Sequence, residues 1–107
     1  MFGMTEMNKE EIYRAKVNLE TAQIAWPELQ RFFASGAAIH VSDELDLVDV
    51  AFQMSEDNAA QIQQWMVAGK LCKVTDEQAS LWIATDALVW AVVVSPWVLV
   101  QHSGQLQ

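Results

Sequence analysis

Cysteine is nearly missing from this sequence: one residue, Cys72, stands among 107. A single thiol can form no intrachain disulfide and no thiolate metal cluster, and its place in an apolar run reads as a buried, inert thiol in a reducing compartment. Glycine is scarce too, with four residues. No GxSxG elbow, GxxxxGK[ST] loop or GxGxxG turn occurs, which removes the backbone cradles that hold phosphate. Basic side chains are few, six Lys and Arg against fourteen Asp and Glu, for a net charge of −8. Such a field repels phosphate backbones and anionic headgroups, so neither nucleic acid nor a membrane surface is an expected partner. The two histidines, His40 and His102, lie far apart, and neither has a companion at metal-ligand spacing. No metal centre and no cofactor is therefore indicated. The first residues, MFGMTEMNKEE, lack a secretory pattern. The longest uncharged apolar run, Ala87 to Val100, falls short of the ~20 residues that cross a bilayer. These absences point to a cytoplasmic protein.

What is abundant is apolar: 52% of residues are hydrophobic, including five Trp and four Phe. A chain of this length buries one core, so a single domain over 1–107 is expected, with 1–7 and 102–107 frayed. Asn8 and Glu11 have the form of a capping box, and Ile12, Ala15, Leu19 and Ala22 follow at helical spacing. Pro27 suits the first position of a second helix, which carries Leu29, Phe32 and Phe33 and stops at Gly36. Ala37 to Val41 reads as a strand, and Ser42 with Asp43 as the cap of a helix bearing Leu47, Val48, Ala51 and Phe52. Ser55 to Asn58 recaps a further helix with Ile62, Trp65 and Met66. Leu71 to Val74 is a second strand, and Thr75 starts a short helix through Trp82. The closing LVWAVVVSPWVLVQ is apolar on both alternating faces, as in a central strand, and Pro96 requires a kink, a bulge or an edge position there.

The segment Leu29–Glu44 lies over Ile62–Glu77 at an offset of 33 residues, matching Gly36 with Gly69, Val41 with Val74, Ser42 with Thr75 and Asp43-Glu44 with Asp76-Glu77. A duplicated helix-Gly-strand-helix unit would make both glycines adopt positive φ, both hydroxyls cap the helices they precede, and the two strands neighbours. The expected fold is α+β: a small mixed sheet of about three strands packed with four to five α-helices.

Few residues invite chemistry. Asp43, Asp46 and Asp49 share a helical face, which reads as a solvated acidic stripe more readily than as a cation site. Among the tryptophans, Trp65 and Trp82 take core positions, whereas Trp90 and Trp97 flank the break at Pro96 and are the candidate partner contacts. A weaker candidate is a polar site where His40, Asp43 and Asp76 converge at the capped helix starts.

The stretches NLETAQIAWPELQRFFASG, LDLVDVA, SEDNAAQIQQWMVAGK, TDEQASLW and above all LVWAVVVSPWVLVQ resemble a family of small bacterial proteins, the domain of unknown function 2288. The likeness runs over roughly Asn18 to Gln101. It implies a bacterial cytoplasmic protein and assigns no catalytic residue. With no reactive constellation beside an excess of large apolar side chains, the leading reading is a non-enzymatic interaction or regulatory module that meets itself, as a homodimer, or a basic protein partner. The alternative is a small metal-dependent enzyme or binder at His40, Asp43 and Asp76.

Overall fold

The structure, a computed structural model, describes residues 8–102. In chain order the elements are α1 (Lys9–Glu20), β1 (Ala22–Ala25), a 3-10 turn (Trp26–Leu29), α2 (Gln30–Ala34), β2 (Ala38–Val41) and α3 (Leu47–Ser55). After these come α4 (Ala59–Val67), β3 (Leu71–Lys73), α5 (Asp76–Ala84), β4 (Leu88–Val94) and β5 (Trp97–His102). Among the described residues the fold is α+β with five α-helices, but the sheet has five strands where about three were expected, in the order β1-β4-β5-β2-β3. The β2–β5 pair is parallel, and the other three pairings are antiparallel.

The two extra strands arise differently. The apolar ribbon is a hairpin: Ser95-Pro96, joined by a cis peptide bond, connects Val94 to its cross-strand partner Trp97. Proline thus sits in a turn, where no ladder N–H is required of it, instead of kinking one long strand. Ala22, expected on the stripe of the first helix, instead opens the edge strand Ala22–Ala25 on β4. Thr21 closes α1, its Oγ1 donating to the Val17 carbonyl at 2.6 Å. The expected frayed ends lie outside the described residues except His102, which is the last residue of β5.

The sheet is covered on both faces. On one, Trp26 and Leu29 of the 3-10 turn and Ala79 and Trp82 of α5 pack on Ala38, Val89, Ala91, Val98 and Val100, with Phe32 and Phe33 of α2 at the margin. On the other, Val17 of α1 and Leu47, Val48, Val50 and Ala51 of α3 pack on Ile39, Val41, Leu71, Val92 and Leu99. Alternation along β5 sends Val98 and Val100 to the first face and Leu99 to the second, which is why the ribbon is apolar at successive positions. Trp26 is fully buried, and its indole N–H has no oxygen or nitrogen acceptor. The rings of Trp82 and Phe33 stand edgewise to it, with centroids 5.0 and 6.0 Å away.

Helix ends explain most of the chain's punctuation. Gly36 (φ 80°) and Gly69 (φ 76°) are left-handed as the duplication requires. Each closes a Schellman turn, with Ala37 N–H bonding the Phe32 carbonyl and Lys70 N–H the Trp65 carbonyl. Strands β2 and β3 are neighbours, pairing His40 with Cys72. The hydroxyl caps do not match. Thr75 Oγ1 accepts from Gln78 N–H in a full capping box, but Ser42 Oγ accepts from Glu44 N–H within a loop. Helix α3 starts later, at Leu47, capped by Asp46. Asp57 (φ 58°) and Asp86 (φ 52°) end α3 and α5 in the same left-handed way without being glycine.

Two expectations follow for urea unfolding. Thr75→Ala loses a helix cap and should cost about 1 kcal/mol, whereas Ser42→Ala, which caps no helix, should cost less than half as much. Asp86→Gly relieves a left-handed side chain and should stabilise by about 0.5 kcal/mol.

Candidate functional site

The parallel pair β2–β5 ends in polar residues. His40 is the third residue of β2, and His102 the last of β5; in register His40 pairs with Val100, so His102 lies one alternation further along the same face. The imidazoles flank Trp82, which α5 delivers from its inward stripe, with ring centroids 5.9 and 5.6 Å from the indole. Trp82 is 3% exposed and backed by Trp26, so the two histidines rest on an aromatic floor. The space beyond the carboxyl ends of parallel strands is where open sheets most often hold ligands. Here it is a cleft of about 420 Å³, walled by the two histidines, by Gln78 and Leu81 of α5, and by Ser42, Asp43 and Glu44 after β2. A second hollow of about 510 Å³ shares Leu81, Trp82 and His102 and continues past Thr85 and Leu88 to Gln23.

The loop that carries the acidic rim is tied at several points. Gln101 of β5 donates through Nε2 to the Ser42 and Leu45 carbonyls at 2.9 and 2.8 Å. Ser42 N–H bonds the Lys70 carbonyl, and Leu45 N–H the Ser42 carbonyl. Glu44 meets Lys70 Nζ at 3.0 Å. Asp43 is thereby held near His40. Burial lowers the His40 pKa below its usual 6.5, the Asp43 carboxylate opposes that shift, and His102 adds to it. At neutral pH His40 is uncharged.

His40 and Asp43 both line the cleft, and Asp43, expected at a helix start, lies in the pinned loop. Asp76 is exposed in the first turn of α5, and the α5 residues that line the cleft are Gln78, Leu81 and Trp82. His102, set aside for its distance in sequence, is the residue that was missed. Its parity with Val98 and Val100 could have found it only once the β2–β5 pairing was known. The acidic stripe is divided: Asp49 and Asp46 face Arg14 of α1, at 2.6 and 3.9 Å, while Asp43 serves the cleft. Cys72, expected to be buried, is exposed, because β3 is an edge strand and the face opposite α4 is open there. Trp90, 39% exposed, stands beside Gln23 and Gln101 on adjoining strands. Trp97 is half-buried against the α3–α4 side. Among the described residues, no group of three or more His, Cys, Asp or Glu side chains is placed to hold a metal ion. No helix among them is long and apolar enough to cross a membrane.

A five-stranded mixed sheet clothed by helices on both faces, with a cleft floored by Trp82 and walled by two histidines where its parallel pair ends, defines the class of protein. The chain belongs to the family described as protein of unknown function (DUF2288), whose model matches residues 12–102. Among solved structures it is similar to the NMR solution structure of PA1075 from Pseudomonas aeruginosa. The two are 39% identical with a TM-score of 0.78, covering 100% of this chain and 97% of that one. No curated protein matches the chain.

The electrostatics of the cleft can be checked by NMR titration of the imidazoles. Asp43→Asn should lower the His40 pKa further, and His102→Gln should raise it, because the two neighbours act in opposite directions. Unfolded His40 takes up a proton near 6.5 and the folded residue only at lower pH, so its contribution to stability is complete above 6.5 and falls as the pH drops below that value.

Proposed function

We propose that this protein is a non-enzymatic cytoplasmic binding module that receives a cationic side chain of a basic protein partner in the cleft at the ends of β2 and β5. The observation that carries this reading is the Asp43 carboxylate held on a pinned loop beside a neutral His40. The neutral His40 imidazole can accept or donate a hydrogen bond without repelling a cation. The rim contributes Asp43 and Glu44, and the whole molecule carries −8. That field draws a basic partner in and turns acidic ones away. Preorganisation matters because a loop already tied down loses little freedom when a ligand arrives.

Titrating 15N-labelled protein with an arginine-rich peptide should shift the signals of His40, Asp43, Gln78 and His102. Asp43→Asn should weaken binding about fivefold, the worth of a partly exposed ion pair. Binding should fade on acidification, as His40 takes up a proton below its usual 6.5. Equal affinity for a glutamate-rich peptide, or shifts confined to another face, would overturn the reading.

A second reading, homodimerisation, rests on a separate observation. The outer flank of β1 and β4 presents Leu88, 50% exposed, and Trp90, with no charged side chain on either strand. Two copies that repel each other elsewhere can approach where charge is absent. The opposite edge, β3, carries Lys73, a common guard against strand pairing. Sedimentation equilibrium should show a dimer that Trp90→Lys converts to monomer; a wild-type monomer at about 100 µM, where even weak dimers populate, would remove it.

A further inference from the structure

The cleft that receives the cation does not stop at His102. Leu81, Trp82 and His102 line it and also line the hollow of about 510 Å³ beside it, so the two make one continuous trough across the ends of β2, β5 and β4. Their characters differ. At the β2 end the wall is acidic: Glu44 is already engaged by Lys70 at 3.0 Å, which leaves Asp43 as the carboxylate open to a ligand. At the β4 end the surface is Leu81, Ala87 and Leu88, with Gln23, Thr85 and Asp86 beside them. The Thr85 hydroxyl is committed to the Leu81 carbonyl at 2.8 Å. Among the described residues, neither part of the trough is lined by Lys or Arg. Leu81 is 58% exposed and Leu88 50%. One exposed leucine is ordinary; two that converge on a hollow continuous with a charged site form a patch that an apolar side chain of the same ligand can cover.

The sheet fixes the spacing of the two parts. Strands β4, β5 and β2 are neighbours in that order, and adjacent strands lie about 4.8 Å apart, so the acidic and apolar parts stand roughly 10 Å from each other. An extended chain rises about 3.3 Å per residue and turns alternate side chains to the same side, so residues i and i+2 face one surface roughly 7 Å apart, and the length of a basic side chain covers the remainder. Adjacent residues point to opposite sides and cannot enter both parts. We infer that the partner's cationic side chain arrives on an extended segment with a large apolar residue two positions away, the cation meeting Asp43 and the apolar side chain lying on Leu81 and Leu88. This rests on the cation-binding reading of the cleft and adds to it a requirement on the partner's sequence. Leu88 also belongs to the flank of β1 and β4 through which a dimer would form, so Leu81, which lines both hollows, is the residue that reports on this contact alone.

Short Gly/Ser peptides titrated against 15N-labelled protein test it, carrying arginine and leucine two positions apart, the same two residues adjacent, or arginine alone. The spaced peptide should bind about fivefold more tightly than arginine alone, the gain from partly covering one leucine side chain, and the adjacent pair should gain far less. Leu81→Gln, at an exposed helical position, should cancel that gain and leave the affinity for the arginine-only peptide unchanged. Asp43→Asn should weaken all of them. A leucine that adds nothing, a gain that survives Leu81→Gln, or an equal gain from the adjacent pair would overturn the inference while the cation site at Asp43 stands. If no peptide shifts the signals of His40 or Asp43, the reading of the cleft itself fails and the requirement on the partner falls with it.

Discussion

The β4–β5 hairpin lies in the middle of a sheet covered on both sides, and that constraint shapes the rest. Val89, Ala91, Val98 and Val100 must satisfy one helical layer while Val92 and Leu99 satisfy the other. A slip of one residue would exchange the two sets and set each against the wrong helices. The residues at successive positions are therefore all apolar, and the tight connection at Ser95-Pro96 fixes the register by pairing Val94 with Trp97. Polar residues return only where the layers end, at Gln101 and His102. Gln101 is spent on the carbonyls of the loop after β2, and His102 on the floor of the cleft. The candidate site is thus the place where the central strands run out of core.

Much of this was legible one element at a time. The capping box at Asn8, the hydroxyl cap at Thr75, the recapping at Asn58 and the left-handed glycines at Gly36 and Gly69 depend on residues within a few positions of each other, so local chemistry reveals them. What escaped notice depends on distant partners. AQIA has one β-branched residue and no turn signal; it is a strand because β4 lies beside it. Ser42 has the chemistry of a cap, but Gln101, 59 residues away, draws its carbonyl into a loop. Cys72 has the neighbours of a buried thiol in sequence and the exposure of an edge strand in space. His102 joined the site only through a parallel pairing, which leaves no mark in the intervening sequence.

The two faces of the sheet differ in how fully they are closed. One is filled by large rings, with Phe33, Trp26 and Trp82 in succession and the histidines laid against the last of them. The other is closed firmly by α3 and by α1, whose Arg14 is clasped by Glu10 and Asp49, and only loosely by α4. Affiliation with a family of unknown function brings no mechanism with it, so the physical contrasts within the molecule carry the functional reading: a pinned polar cleft on one side and a loosely covered apolar face beneath α4 on the other.

The strand order also sets when the molecule can assemble. Three of the four strand pairings involve β4 or β5, and the remaining one joins β2 only to the three residues of β3. A nascent chain that has emerged as far as Ala87 therefore holds five helices with almost no sheet to lie on, and short two-stranded ribbons are barely stable in water. Trp26 and Trp82 must wait, uncovered, for Leu88 and the residues beyond it. During synthesis this protein would be a client for whatever shelters greasy, half-made chains, and it would become self-sufficient only once β4 and β5 have been made.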